Sequence, residues 1–138
     1  MERMIQVRAI IDGNAEGQAL VSKEPLSFWG GYDWKTGEII DRRHSLSGQI
    51  AVHRILCVPF ARGSSTTTAV LLEAIRNKTA PAAIITTDTD FFFALASVVA
   101  DVMYHLPIPL YVMNKIDFDS ISSENFIRIE DGKIYLRS

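Results

Sequence analysis

Residues 54–77 read Arg54-Ile55-Leu56-Cys57-Val58-Pro59-Phe60, then Ala61-Arg62-Gly63-Ser64-Ser65, then Thr66-Thr67-Thr68-Ala69-Val70-Leu71-Leu72-Glu73-Ala74-Ile75-Arg76-Asn77. The first part is a short β-favouring run, the second a turn-forming group, and the third supports a helix through Ala69, Val70, Leu72, Glu73 and Arg76. The alternation recurs downstream. Pro81 separates this helix from an apolar strand over 82–86, and Asp88 can cap a second helix running from about 89 to 105. Pro107 marks its end, and residues 108–113 make a third strand. Residues 54–113 therefore predict a βαβαβ unit, whose connections require parallel strands and right-handed crossovers. Strands this apolar belong in a sheet covered on both faces.

On the N-terminal side, residues 4–11 and 15–22 read as extended segments joined across Asp12-Gly13-Asn14, which predicts a hairpin. On the C-terminal side, residues 126–129 and 133–136 flank Glu130-Asp131-Gly132, a second hairpin signal. Between them, residues 23–48 hold four glycines, two tryptophans and Pro25 without sustained periodicity, and read as a long loop with embedded aromatics. Ordered loops of that length usually carry function. The fold class expected is α/β: a mixed sheet with a central parallel βαβαβ unit and β-rich ends.

The chain has 138 residues, 48% of them apolar, which fits one domain with a real core and excludes a disordered or collagen-like chain. The apolar-rich run over residues 91–100, interrupted only by Ser97, is bracketed by Asp90 and Asp101. It is half the roughly 20 residues that a membrane span needs. The N-terminal segment carries Glu2, Arg3 and Arg8 and lacks the pattern of a secretory signal, so a cytoplasmic protein is expected. A net charge of -2 supplies no basic field for nucleic-acid phosphates. The single cysteine, Cys57, lies in an apolar run and reads as a buried small hydrophobe. Together with three scattered histidines it offers no zinc or iron-sulfur ligand set, so no metal is expected on this chain.

Two segments could carry chemistry. Arg62-Gly63-Ser64-Ser65 stands after a strand at the mouth of a helix, where free backbone N–H groups and the helix dipole favour an anion such as a phosphate or carboxylate. It is not a P-loop. Alternatively Ser64 or Ser65 caps the helix. A serine acting as a base needs more than a helix terminus, which contributes roughly 0.3 to 2 kcal/mol, about one pKa unit. Arg62 is the local cation, and the electrophile that acidifies the substrate has to come from elsewhere. The second segment is Pro25-Leu26-Ser27-Phe28-Trp29-Gly30-Gly31, continuing to His44. It reads either as a pocket wall or docking surface, or as a structural corner in which Phe28 and Trp29 pack inward. Asp88-Thr89-Asp90 reads as a helix start, not a metal cluster, and the helix after it as buried in the core or against a partner.

Several segments together carry a resemblance. They are Glu16-Gly17-Gln18-Ala19-Leu20-Val21, Glu24-Pro25-Leu26-Ser27-Phe28-Trp29-Gly30-Gly31, Thr36-Gly37, His44, Gly48, Arg62-Gly63-Ser64-Ser65 and Ala80-Pro81-Ala82-Ala83-Ile84. Over nearly the whole chain they resemble the small-subunit, or swivel, domain of the aconitase X family. The resemblance implies a swivelling β/β/α domain, one over residues 1–138, paired with a larger subunit that carries an iron-sulfur cluster. It implies a hydro-lyase active only with that subunit. The family's proton-accepting serine falls by position on Ser64, with Ser65 the alternative, and Arg62, Gly63 and Ser65 are the expected substrate-binding positions. Ser27, Phe28, Trp29, Gly30, Gly31 and His44 are expected in the pocket or the interface. The substrate would be small and anionic or zwitterionic: cis-3-hydroxy-L-proline by resemblance at Phe28-Trp29-Gly30-Gly31, Arg62-Gly63-Ser64-Ser65 and Val70-Leu71-Leu72-Glu73, or alternatively 5-phosphomevalonate. A reading from another class is a non-catalytic module that binds a small anion or docks a regulator.

Overall fold

In the central strands, neighbouring side chains go to two different cores. The strands β1 (Glu2–Ile5), β2 (Arg8–Ile11), β3 (Ala15–Val21), β4 (Leu26–Ser27), β5 (Ile55–Cys57) and β6 (Ala61–Arg62) precede helix α1 (Ser65–Arg76). After it come β7 (Ala83–Thr86), α2 (Phe91–Tyr104), β8 (Leu110–Val112), α3 (Lys115–Asp119), β9 (Phe126–Glu130) and β10 (Lys133–Arg137). The computed structural model describes residues 2–62 and 65–138. Leu56 and Ile84 point to the helices, whereas Ile55, Cys57, Ala83 and Ile85 point to the opposite face. A strand buried on both sides has no polar face, which is why these read as continuous apolar runs.

The expected βαβαβ unit is present: β5 pairs parallel with β7, and β7 parallel with β8. A third parallel pairing, β3 with β5, extends it. Among the described residues the sheet has eight strands in the order β1-β10-β9-β3-β5-β7-β8-β2, and β4 and β6 form a separate parallel pair. Its edge strands, β1 and β2, are consecutive in the chain and separated only by Gln6 and Val7. Three residue steps span at most about 10 Å, so the sheet must curl until its two edges approach. The antiparallel half folds over the parallel half, enclosing Ile5, Ala19, Ile127, Ile129, Ile134 and Leu136 with Phe118 of α3. On the other face α1 and α2 cover the parallel strands. The layers are β/β/α.

The N-terminal hairpin is a correction. Residues 4–11 are not one strand, and neither β1 nor β2 pairs with β3: β1 pairs with β10, β2 with β8, and β3 lies between β9 and β5. The turn-forming trio is held elsewhere. The Tyr111 hydroxyl in β8 donates to Asp12 Oδ1 at 2.6 Å and accepts the Gly13 N–H at 3.2 Å. The second hairpin does form, with Lys133 opposite Glu130 across Asp131 and Gly132, which take φ of 52° and 73° as a two-residue primed turn requires.

Two further expectations change in detail. The cap of α2 is Asp90, not Asp88: its Oδ1 accepts from the backbone N–H groups of Phe92 (3.0 Å) and Phe93 (3.1 Å), and α2 begins at Phe91. The long loop is largely packed. It contains β4, isolated bridges Tyr32 to Ile39 and Glu38 to Ile50, and the buried side chains of Leu26, Phe28, Tyr32, Ile39 and Leu46. Phe28 stacks on Tyr32 (centroids 4.9 Å apart) and meets Phe93 of α2 edge-on at 5.3 Å, geometries aromatic pairs favour.

Candidate functional site

The parallel strands β3, β5 and β7 end at Val21, Cys57 and Thr86, and the chain leaves each end toward the same side of the sheet. In parallel α/β sheets, ligands bind outside these carboxyl ends. After β5 the chain does not enter a turn directly, as expected for residues 61–65. Ala61 and Arg62 instead form β6, in register with Leu26 and Ser27 of β4. This pairing sets Ser27 beside Arg62. A second restraint comes from Asp90, whose Oδ2 accepts the Ala61 N–H at 2.8 Å while its Oδ1 caps α2. One buried carboxylate thus fastens the approach to the serine turn to the start of a helix. Gly63 and Ser64, the centre of the predicted catalytic turn, lie outside the described residues; Ser65 opens α1 and is exposed.

A cavity of about 330 Å³ lies at this point, lined by Glu24, Pro25, Ser27, Asp41, Arg43, His44 and Arg62. It gathers three of the expected positions, Ser27, His44 and Arg62. His44 is buried and both ring nitrogens face backbone: Nδ1 accepts the Leu46 N–H at 3.1 Å, so Nε2 carries the proton that is donated to Pro25 O at 3.1 Å. His44 therefore ties the 41–46 turn to the residue before β4, and it shapes the cavity instead of offering a free base. Its neighbours Glu24, Asp41 and Arg43 did not emerge from the sequence. Glu24 Oε1 accepts the Ser45 N–H at 3.1 Å, and Asp41 Oδ1 accepts the Arg43 N–H at 3.0 Å.

The aromatic-glycine segment divides. Phe28 packs inward, as the structural-corner alternative has it, but Trp29 is 70% exposed. Phe28, Trp29 and Gly30 border a second, shallow cavity of about 520 Å³ with Tyr32, Trp34 and Val70. Gly31 serves the first cavity from behind: a Cβ on it would stand 2.0 Å from Ser27 O, so only glycine lets the two backbones approach. Beside β4, β6 and the start of α2, Trp29, Phe60 and Phe91 expose large apolar surface, and Leu95, Val98 and Val102 continue an uncovered stripe along α2. The core alternative for this helix thus holds for one face, which buries Phe93, Ala96, Ser97 and Ala100.

Among the described residues no group of three or more His, Cys, Asp or Glu side chains is placed to hold a metal ion. Cys57 is fully buried, with its thiol directed at Ile55 O (3.6 Å), and burial pushes that thiol up to about 12. A lone protonated thiol inside the core does not fit an iron-sulfur cluster, which takes several exposed-enough thiolates. Among the described residues no helix is long and apolar enough to cross a membrane.

A β/β/α layering with a cavity of mixed charge near the carboxyl ends of its parallel strands is the architecture of a swivel-type domain. The chain belongs to the aconitase X swivel-domain family, whose model matches residues 4–137. It is 38% identical over 133 residues to a cis-3-hydroxy-L-proline dehydratase of Pseudomonas aeruginosa, covering 96% of this chain and 23% of that protein. It is 30% identical over 130 residues to the phosphomevalonate dehydratase small subunit of Methanosarcina acetivorans, covering 94% of this chain and 86% of that one. The crystal structure of aconitase X from Thermococcus kodakaraensis in its holo form matches with a TM-score of 0.84 at 29% identity over 99% of both chains. The chain thus spans about a quarter of the Pseudomonas relative and most of the archaeal small subunit.

Proposed function

We propose that this chain is one aconitase X-type swivel domain acting as the small subunit of a two-subunit hydro-lyase, and that it brings Ser64 to a site closed by a larger chain. The observation that supports the reading is the solvent-open cavity lined by Ser27 and Arg62, the two residues that the β4–β6 pairing sets side by side. In the elimination, a proton leaves the substrate carbon next to its carboxylate for the Ser64 oxygen. The electron pair of that C–H bond forms the C=C bond as the C–O bond of the neighbouring hydroxyl breaks; the departing hydroxide takes a proton from solvent to leave as water, and Ser64 gives its proton back to solvent, which regenerates the base. Arg62 offers the cation that steadies a serine alkoxide or the substrate carboxylate. The electrophile for the leaving hydroxyl is the larger chain's contribution, since the donor set of this chain does not fit the cluster expected there.

The exposed apolar residues Trp29, Phe60 and Phe91, with the α2 stripe, form the surface on which the larger chain sits. Hydrogen exchange on the assembled pair should show protection at residues 27–31 and 91–102; unchanged exchange there would remove this surface from the interface. The substrate favoured is cis-3-hydroxy-L-proline, supported by the 38% identity to the Pseudomonas dehydratase. A second reading, dehydration of 5-phosphomevalonate, is supported by the match to an archaeal small subunit of similar length. The test is co-expression with the large subunit under anaerobic conditions and assay of both compounds. Ser64→Ala should lower kcat at least a hundredfold with assembly intact; retained turnover refutes the serine's role.

A further inference from the structure

The cavity lined by Ser27 and Arg62 carries two positive and two negative side chains, and their arrangement suggests which substrate it receives. We infer that Glu24 and Asp41 are the binding residues for the ammonium group of an amino-acid zwitterion, with Arg43 and Arg62 taking its carboxylate, and that the same two carboxylates reject a phosphorylated substrate. The inference rests on the proposed hydro-lyase reading and adds to it the residues that choose the substrate. Glu24 and Asp41 are each fixed through one oxygen by a backbone N–H, from Ser45 at 3.1 Å and from Arg43 at 3.0 Å. An ionised carboxylate has about four acceptor positions, so each keeps capacity for a ligand N–H. Among the described residues Glu24 has no ion-pair partner, and Asp41 has only the loose 3.7 Å contact with Arg43 Nε. His44 has both nitrogens committed to backbone and brings shape instead of charge.

The lining is therefore dipolar and sums to zero formal charge over Glu24, Asp41, Arg43 and Arg62. cis-3-Hydroxy-L-proline matches it, with one secondary ammonium and one carboxylate on a small ring. 5-Phosphomevalonate does not: its phosphate brings about -1.5 to -2 and its carboxylate a further negative charge, into a cavity where two cations are already balanced. The larger chain adds further charges, but Glu24 and Asp41 face the ligand from this side whatever it adds.

Glu24→Gln and Asp41→Asn remove the charge but leave an amide carbonyl oxygen where the carboxylate oxygen accepted the backbone N–H, so neither should unfold the loop. In the assembled pair each is expected to raise KM for cis-3-hydroxy-L-proline about tenfold with kcat little changed. As a control, inhibition by L-proline should weaken by the same factor. Inhibition by tetrahydrofuran-2-carboxylate, the same ring without the ammonium, should stay equal or strengthen. Equal effects on both inhibitors, or on neither, overturn the inference while leaving the dehydratase reading intact. Preference of the wild-type pair for 5-phosphomevalonate overturns it together with the substrate choice. If the wild-type pair turns over neither compound, the functional reading fails, and calorimetry of L-proline with the same two variants decides the inference by the same tenfold criterion.

Discussion

Replacement of Asp90 tests how β6, the strand that leads into the proposed serine turn, is held in place. Its carboxylate makes three hydrogen bonds from a site 8% exposed: Oδ1 to the Phe92 and Phe93 N–H groups at 3.0 and 3.1 Å, and Oδ2 to the Ala61 N–H at 2.8 Å. Removal of the cap costs about 1 kcal/mol, within a range of about 0.5–2. Loss of the charge-assisted bond that leaves the Ala61 N–H unpaired costs about 1–3 kcal/mol. Because the bonds share one side chain, the sum for Asp90→Ala is taken as about 2–4 kcal/mol and not as strictly additive. With a urea slope of about 2 kcal/mol/M for a domain of this size, the unfolding midpoint of the full chain should fall by about 1–2 M. Asp90→Ser separates the two roles, because a serine hydroxyl caps a helix but is too short to reach both partners. It should recover about 1 kcal/mol of the loss while β6 stays unfastened, so the assembled enzyme should lose kcat out of proportion to stability. A midpoint for Asp90→Ala within about 0.3 M of the parent, about 0.6 kcal/mol on that slope, or full kcat for Asp90→Ser, would refute the reasoning.

Other expectations follow from single contacts. Gly31→Ala places a Cβ 2.0 Å from Ser27 O and must push β4 away from the cavity; a loss of about 1–3 kcal/mol and lowered activity are expected. Gly30→Ala meets nothing within 4 Å and pays only for its φ of 74°, about 1–2 kcal/mol with activity kept; equal activities of the two variants in the assembled pair would contradict this. Burial pushes the Cys57 thiol from its ordinary 9.0 up to about 12. The folded state therefore favours the neutral thiol, and that contribution is whole below the unfolded value and is lost as pH rises from about 9 toward 12. Native protein at neutral pH should resist thiol reagents until denaturant is added, and the fall in stability from neutral to alkaline pH should be smaller in Cys57→Ala than in the parent; rapid native labelling would show the thiol is accessible.

By itself the sequence determined those features that short-range physics controls. Apolar runs, Pro81 and Pro107, and helix-compatible spacing defined the βαβαβ middle, since periodicity and local hydrogen bonding act within a few residues. Asp131-Gly132 specified its own turn, and Cys57 announced its burial through the apolar residues on either side. Strand partners were another matter. The stretch around Asp12-Gly13-Asn14 has the local chemistry of a hairpin, but Tyr111, 98 residues beyond Gly13, holds that turn, and closing the curled sheet sends β1 and β2 to opposite edges. The same distinction separates Phe28 from Trp29: the two are adjacent aromatics, and the positions of Tyr32 and Phe93 decide that Phe28 is the one enclosed. Arg62 and His44 were legible as site candidates because a glycine turn and a suspicious loop surround them. Glu24, Asp41, Arg43 and Asp90 were not, because a charged residue in a loop looks solvated until tertiary structure shows what it faces. Charge recognition depends on distance through space, and contacts between segments tens of residues apart leave no periodic trace along the chain.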